Sequence, residues 1–556
     1  MDAGELRMPT FKIDGKDVPF EAGDTIMRAA YRAGIDIPYY CWHPGLSVAA
    51  NCRMCLVEIL PPPGRPPMLL DVLEFDRTTG QYVNTRKPKL QPACQVPVTE
   101  NMEVLSDTSE HVKRARHAVQ EFLLLNHPVD CPICDQAGEC KLQDYWLDHM
   151  RTPKRMPDEL IHKPKAVSFG PTIVYDAERC IICTRCVRFC EEVAKDPVLS
   201  VRERGNLNEI TVSPGRELDH PYTFMTELVC PVGALTTKDF RFKARVWFLR
   251  SAPSICQGCA TGCNAWLDFD PRTQRAYRYR PRDNESVNSY WMCDEGMLSY
   301  HATHDARATQ IRVGGKHTLA AKAIEKAVEL IKNAPKDKSA VVLSAQHNCE
   351  DNFALVTLAR AMGIQAWFLI GKPEGQGDDI LRHVDKNPNT AGARAVAERE
   401  LKGIEELTRA VEDGSIKHLI VMGSVWPADA DSLLDKLTSL VVIGGWQGAL
   451  HEHAEVFLPA SSWAETHGIY VNAKGMAQES RRAYPGADDC QPGWKFVREV
   501  CVGLGHEPAW NSLSSLREAM PKACLPKPEI NVSASADHHA NANETAADKA
   551  AASTDS

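Results

Sequence analysis

The cysteines are the feature that most constrains this chain. Sixteen of its twenty cysteines lie between residues 41 and 293, and they form four groups with one thiol left over. The third group has three thiols at two-residue gaps and a distant fourth in a Cys-Pro pair: Cys180, Cys183, Cys186 and Cys230. A 4Fe-4S cubane needs one ligand at each iron, and this spacing is typical of such sites. The pattern therefore predicts an electron carrier.

Composition limits the classes of protein that remain. A chain of 556 residues is too long for one core and predicts roughly three to four domains. No apolar signal region begins the chain, and no apolar run approaches the roughly 20 residues of a membrane span. We expect a cytoplasmic protein, in which clustered thiols serve as metal ligands or redox groups more often than as disulfides. A net charge of -9 gives no basic footprint for nucleic acid.

The first cysteine group is preceded by a hairpin pattern over residues 11–20, with its turn at Asp14-Gly15, and by a helical pattern from Thr25 to Ala33. A strand-like segment over 55–60 follows. This order predicts a β-grasp 2Fe-2S ferredoxin domain over residues 1–107, although the spacing C-x10-C-x2-C differs from the plant-type pattern. A proline-rich stretch within residues 61–90 predicts a surface insertion, and a structural zinc site is the alternative. The predicted ligands are Cys41, Cys52, Cys55 and Cys94.

The second group combines one imidazole with three thiols in the spacing H-x3-C-x2-C-x5-C. Its predicted ligands are His127, Cys131, Cys134 and Cys140. We interpret it as a 4Fe-4S segment over residues 108–148, with a zinc site as the alternative, because it lies between two other predicted clusters. A helix over residues 110–125 would deliver the histidine, with its apolar face formed by Val112, Ala115, Val119, Phe122 and Leu123.

The third group predicts a 4Fe-4S ferredoxin-like domain over residues 149–245. Cys190 extends its motif to C-x2-C-x2-C-x3-C, and in two-cluster ferredoxins a thiol at that position serves the other cluster. No second triplet precedes Cys230, so Cys190 is predicted to be a spare thiol outside the ligand set.

The fourth group has the spacing C-x2-C-x3-C-x29-C, which is rarer among zinc sites. Its predicted ligands are Cys256, Cys259, Cys263 and Cys293, within a 4Fe-4S domain over residues 246–305. Short strands over 266–269 and 276–279 are predicted to pack around it. The four groups together predict one 2Fe-2S and three 4Fe-4S clusters arranged as an electron wire.

Beyond residue 305 the pattern changes to alternating strands and helices. Strands are predicted over 339–344, 418–422 and 441–445, and helices over 350–361 and 431–440, which makes residues 306–524 an α/β layer. Residues 525–556 are rich in Ala, Ser, Asp and Asn and are predicted to be a disordered tail. The overall fold class is multidomain α+β and α/β.

The order of the four cysteine motifs resembles that of the large iron-sulfur subunit, the G subunit, of bacterial NADH-quinone oxidoreductase, which is respiratory complex I. Residues 455–465 and 468–475 also resemble segments of the molybdopterin oxidoreductase family. The resemblance implies a peripheral subunit on the cytoplasmic side of the plasma membrane, which contacts the membrane only through its complex. Its implied partners are a flavin and NADH-binding subunit, which alone would hold FMN, and ferredoxin-like and quinone-site subunits. In that family the first three sites carry electrons towards quinone, and the fourth is off the path.

Several differences from catalytic molybdopterin and nicotinamide enzymes argue against catalysis on this chain alone. Related formate dehydrogenases place a lysine two residues after the last cluster thiol, whereas Glu295 stands here, and only about 220 residues remain for a molybdopterin domain. None of the four later cysteines has a credible molybdenum context, so no molybdopterin and no catalytic residue are predicted. Residues 443–448 lack the first glycine of a nicotinamide fingerprint. The alternatives are a cluster-bearing subunit of an NAD-linked hydrogenase or formate dehydrogenase, and a zinc scaffold.

Overall fold

The computed structural model describes residues 8–61, 64–76, 78–153 and 155–527. The chain divides into an N-terminal unit that runs to Trp247 and a C-terminal unit that starts at Phe248. Among the helices of the described ranges, none has the length and apolarity that crossing a membrane requires. From residue 528 onwards, the predicted disordered tail lies outside the described residues.

The N-terminal unit holds short strands and helices that alternate with the cysteine loops. Its strands are β1 Thr10–Ile13, β2 Lys16–Pro19, β3 Leu56–Leu60, β4 Leu69–Asp76, β5 Gln81–Pro88, β6 Gln91–Pro92, β7 Glu103–Leu105, β8 Val167–Ser168, β9 Ile173–Tyr175, β10 Leu199–Arg202, β11 Glu209–Val212 and β12 Leu235–Thr237. Its α-helices are α1 Ile26–Arg32, α2 Glu110–Leu124, α3 Lys141–His149, α4 Arg185–Glu192 and α5 Met225–Leu228.

The first sheet has the strand order β2-β1-β7-β3-β6. Strand β1 pairs antiparallel with β2 and parallel with β7, and the turn between β1 and β2 has positive φ at Asp14 and Gly15. Two positive φ values are characteristic of the type I′ turn that closes tight hairpins. Helix α1 buries Ile26 and Met27 in the same core as Phe11 of β1. The predicted hairpin, helix and third strand are therefore confirmed.

Residues 61–90 contain a second hairpin that the sequence interpretation missed. Strands β4 and β5 pair over their full length, from Leu69 opposite Pro88 to Asp76 opposite Gln81. Glu74 on one face contacts Lys87 and lies 3.6 Å from Arg114 of α2. Apolar side chains are exposed along the opposite face, among them Leu73, Phe75 and Tyr82. The surface insertion predicted from the proline-rich start of the segment thus contains a paired hairpin.

Helix α2 is confirmed, but its predicted apolar face is wrong. The buried positions are Val112, Arg116 and Gln120, whereas Phe122 is 73% exposed. The Arg116 guanidinium donates to Asp107 Oδ1 at 2.6 Å and to Ser106 Oγ at 2.7 Å. Hydrogen bonds lower the cost of burying a polar group, so the partners of its two terminal nitrogens allow Arg116 to occupy the buried face of this helix, although Arg116 Nε is buried without a partner.

The C-terminal unit begins with a three-stranded antiparallel sheet and continues into an α/β layer. Its strands are β13 Arg250–Ile255, β14 Asn264–Asp270, β15 Arg275–Pro281, β16 Arg312–Val313, β17 Lys316–His317, β18 Ser339–Ser344, β19 Ala366–Ile370, β20 His418–Met422, β21 Ser439–Gly444, β22 Val456–Pro459, β23 Gly468–Val471 and β24 Ala477–Ser480. Its α-helices are α6 Asp294–Leu298, α7 Ala320–Asn333, α8 Cys349–Met362, α9 Thr390–Ala397, α10 Ile404–Glu412, α11 Ala449–His453, α12 Gly493–Gly503 and α13 Leu513–Ala519.

The α/β layer is a seven-stranded sheet in the order β17-β16-β22-β21-β20-β18-β19, and its five strands from β22 to β19 are parallel. Successive residues of β18 point to opposite faces of the sheet and belong to different hydrophobic cores. Val341 packs in the core with α7, α8 and α12, and Val342 packs in the core with α10 and α11. Parallel strands covered by helices on both faces consist of continuous apolar runs, and the strands of this sheet have that pattern. The predicted α/β layer is confirmed.

One predicted helix of this layer is wrong. Residues 428–436 form a 3-10 helix, and Ser439 and Leu440 already belong to β21. The apolar run from Leu440 to Ile443 is completely buried, and such a run at a sheet centre fits a strand.

Candidate iron-sulfur sites

The third cysteine group lines one cavity in the N-terminal unit. The loop over residues 180–184 turns through positive φ at Ile182 and Thr184 before α4 begins, and the last thiol follows α5. Apolar walls from Ile210 and Leu235 complete the cavity. The structure thus brings together Cys180, Cys183, Cys186 and Cys230 around one space. Four thiols facing a common apolar cavity fit the ligand requirement of a cubane.

Burial opposes ionisation of these thiols in the protein alone. It raises the pKa of Cys180, Cys183 and Cys230 to about 11 each, and that of Cys186 well above its ordinary value. Backbone N–H groups partly oppose this rise, since Ile182 N lies 3.4 Å from the Cys180 sulfur. Ligation requires thiolates, so positive metal charge would have to supply the remaining stabilisation.

Cys190 lies near this site but contacts another partner. Its side chain is fully buried on α4, and its sulfur is 3.5 Å from His220 Nε2. Burial raises the pKa of Cys190 to about 12. Its assignment as a spare thiol stays a prediction.

The fourth group lines a second cavity, in the C-terminal unit. Cys293 is the N-cap of α6, and its sulfur accepts from Gly296 N at 3.3 Å. Gly296 is needed for this close approach, because a Cβ there would lie 2.9 Å from the Cys256 sulfur and 3.3 Å from the Cys293 sulfur. The cavity gathers all four predicted ligands, Cys256, Cys259, Cys263 and Cys293.

The acid at the lysine position of the related enzymes is paired within the fold. Glu295 lines the fourth cavity together with Arg382, whose Nε lies 4.0 Å from the carboxylate. Lys386, a buried residue, donates to Glu295 Oε2 at 2.9 Å. Both cations come from the loop that follows β19, about 90 residues downstream, so no local motif could have identified them.

The first group is gathered at the edge of the β-grasp sheet. The thiols of Cys41 and Cys52 hydrogen-bond to each other, as do those of Cys55 and Cys94. The charge of Cys52 also acts on Cys55, which places both pairs in one site. Positive φ at Arg53 shapes the loop between them.

The second group consists of one half-buried imidazole and three thiols, and the charge of Arg179 acts on both His127 and Cys134. Burial, and then the charge of Arg179, lower the pKa of His127 to about 4, which leaves the ring neutral at pH 7, as a ligand must be. Burial raises the pKa of Cys134, while the same Arg179 opposes that rise and Cys131 adds to it. Cys140 is the N-cap of α3, and the charge of Cys134 acts on its thiol.

The third site contacts both of the other sites of the N-terminal unit. Arg188 on α4 donates to the Cys41 carbonyl at 2.5 Å and to the Cys183 carbonyl at 3.4 Å. On another side, Gly233 follows Cys230 closely, and a Cβ at Gly233 would overlap the Cys134 sulfur. Neither contact could be recognised in the sequence, because both join segments that are distant along the chain.

Fold and sites together define a protein class: a multi-centre iron-sulfur protein with a molybdopterin-oxidoreductase-type α/β region. Four family models match in order. They are a 2Fe-2S iron-sulfur cluster binding domain over residues 7–109, the NADH-ubiquinone oxidoreductase-G iron-sulfur binding region over 116–153, the ferredoxin-like domain of NADH-quinone oxidoreductase subunit 3 over 170–236, and molybdopterin oxidoreductase over 317–502. The predicted fold class is confirmed.

Curated relatives of this chain are named as the G subunit of NADH-quinone oxidoreductase. The protein from Mycobacterium bovis is 34% identical over 366 residues, which cover 64% of this chain and 42% of the relative. The protein from Rickettsia felis is 34% identical over 64% of this chain and 49% of the relative, and that from Streptomyces coelicolor is 32% identical over 63% and 39%. The chain is homologous to these oxidoreductase subunits, as its motifs predicted, and it spans less than half the length of each.

A solved structure also matches part of the chain. It is the crystal structure of NAD+-reducing [NiFe]-hydrogenase in the H2-reduced state, 27% identical, covering 43% of this chain and 91% of that chain at a TM-score of 0.34. Such a TM-score is too low to establish a shared overall fold.

Proposed function

We propose that this chain is an iron-sulfur electron-transfer subunit of NADH-quinone oxidoreductase, relaying electrons from a flavin subunit towards quinone in a proton-translocating complex. The homology to the G subunits of that enzyme supports this assignment. The observation that carries it is the contact of the third thiol site with the first through Arg188 and with the second at Gly233. Electron transfer between centres requires such closely packed sites.

The residues of each site have defined roles in this proposal. The ligands would be the fifteen grouped cysteines and His127, holding one 2Fe-2S and three 4Fe-4S clusters, and the domains would follow the boundaries predicted from the sequence. Clusters of this kind supply one-electron transfer when bound. Arg185 and Arg188 join α4, which carries one thiol of the third site, to the loop of the first site, because Arg185 donates to the Trp42 carbonyl and Arg188 to the Cys41 carbonyl.

The partners follow from the chemistry of hydride transfer. NADH gives up two electrons as a hydride, so a flavin must stand between it and one-electron centres, and hydride chemistry belongs to such cofactors. We assign the flavin to a partner subunit that contacts the β-grasp domain, and the electron acceptor to a ferredoxin-like subunit nearer the quinone site. The complex would hold this chain at the cytoplasmic side of the plasma membrane.

Iron, sulfide and EPR analysis of the anaerobically purified chain tests the proposal. We expect about fourteen irons per chain, the sum for one 2Fe-2S and three 4Fe-4S clusters, with matching acid-labile sulfide and EPR signals of both cluster types after reduction. Stoichiometric zinc without labile sulfide would replace the proposal with a structural zinc scaffold. Cys501→Ser, at a buried cysteine outside the four groups, is the matched control and should keep the full iron content.

A further inference from the structure

A buried tyrosine stands at the third site and belongs to no cysteine motif. Tyr175 ends strand β9, is 2% exposed, and lines the cavity together with the four thiols. Its ring stacks on Phe169 with centroids 4.5 Å apart. Strand pairing fixes its backbone, since Tyr175 lies opposite Leu235 of β12, which lines the same cavity. The position of the hydroxyl group is therefore set by packing on several sides.

The hydrogen bonds of that hydroxyl determine the direction of its proton. Its oxygen accepts from Ile210 N at 3.0 Å. The hydroxyl also hydrogen-bonds to Cys180, which lines the same cavity and has no S–H proton to donate once it is a thiolate. Because the amide already donates to the oxygen, the O–H of Tyr175 points to the sulfur.

We propose that Tyr175 is a positioning residue that raises the reduction potential of the third site by donating its O–H to the Cys180 sulfur. The inference rests on one part of the proposed function, namely that the third site holds a 4Fe-4S cluster. Reduction adds one electron, and part of its charge falls on the ligand sulfurs. A donor to such a sulfur stabilises the more negative state, and hydrogen bonds to sulfur are among the factors that set these potentials. The proton stays on the tyrosine, so no bond forms or breaks.

The test is an EPR-monitored redox titration of the full chain carrying Tyr175→Phe. The signal of the third site is identified as the one that Cys186→Ser removes. A neutral hydrogen bond of ordinary strength corresponds to about a fivefold lower equilibrium constant for reduction in the variant. For a one-electron couple, in which tenfold is 59 mV, this is a shift of about 40 mV to more negative potential.

A matched control is available at the fourth site. Tyr279 is also buried, and the charge of Cys256 acts on it, but its hydroxyl accepts from Trp463 Nε1 at 2.7 Å and lies 3.1 Å from Ser254 Oγ. Tyr279→Phe should leave the potential of the third site unchanged. An equal shift in both variants would overturn the inference, because it would reflect general loosening of the fold.

A second substitution keeps the inference testable if Tyr175→Phe loses the cluster. Placing 3-fluorotyrosine at position 175 keeps the ring and makes the hydroxyl a stronger donor, so the potential should shift in the opposite direction, to a more positive value. No shift, or a negative one, would contradict the role of Tyr175. If the unsubstituted chain lacks the third-site signal, the proposed function fails as well; if that signal titrates identically with and without the tyrosine hydroxyl, this inference alone fails.

Discussion

Replacing Gly296 with alanine should empty the fourth site and leave the other three intact. The new Cβ would lie 2.9 Å from the Cys256 sulfur, whereas nonbonded heavy atoms prefer about 3.5–4.0 Å. It would also lie 3.3 Å from the sulfur of Cys293. The methyl group would therefore crowd two ligands that belong to separate segments of the chain. Overpacking of this kind costs about 1–3 kcal/mol in a well-packed interior.

Iron analysis and thermal unfolding measure both consequences of Gly296→Ala. The variant should hold about ten irons instead of about fourteen, because one cubane contributes four. Its melting temperature should fall by several degrees, since about 1 kcal/mol shifts a domain of this size by about 2–4 °C. Gly403→Ala is the control, because a Cβ there meets only the end of the Glu406 side chain at 3.2 Å. Full iron content and an unchanged melting temperature in Gly296→Ala would refute the reasoning.

Three further outcomes are expected. Cys186→Ser should lose the third-site cluster, whereas Cys190→Ser should keep every cluster; EPR showing the reverse would overturn the ligand assignment. Elemental analysis should find neither molybdenum nor tungsten, and a near-stoichiometric amount of either would revive the formate dehydrogenase alternative. The cluster-loaded chain should not reduce ferricyanide with NADH until a flavin subunit is added, and robust turnover by the chain alone would exclude its role as a relay.

The sequence predicted those features that depend on local order. The hairpin around Asp14, the helix after Thr25 and the parallel strands were visible because side-chain periodicity and turn residues act over a few positions. The face of α2 was not, because Arg116 is buried by partners on other segments. Hairpin β4–β5 was missed although apolar and polar residues alternate from Leu73 to Asp76, because the proline-rich stretch before it was interpreted as a surface insertion.

In the candidate sites, too, the features that depend on local sequence could be predicted and those that depend on tertiary packing could not. Cysteine spacing identifies ligand sets because a cluster draws several ligands from one tight loop, and the structure places all four thiols of the third group around one cavity and all four of the fourth group around another. The groups around the ligands come from elsewhere in the chain. Tyr175 is brought to Cys180 by strand pairing, and Arg188 reaches Cys41 from almost 150 residues away. Such contacts follow from tertiary packing, which a single sequence does not encode in any local pattern.

The fourth site shows why one substituted position is weak ground for a functional conclusion. Glu295 replaces a lysine of the related enzymes, which by itself would make the cavity more acidic. Lys386 and Arg382, on the loop after β19, form ion pairs with the same carboxylate. Positive charge is therefore present next to Glu295. The charge reversal is therefore largely compensated in space. The prediction that no molybdenum binds therefore depends more on the later cysteines, of which Cys349 and Cys524 are buried and Cys490 accepts from Arg307.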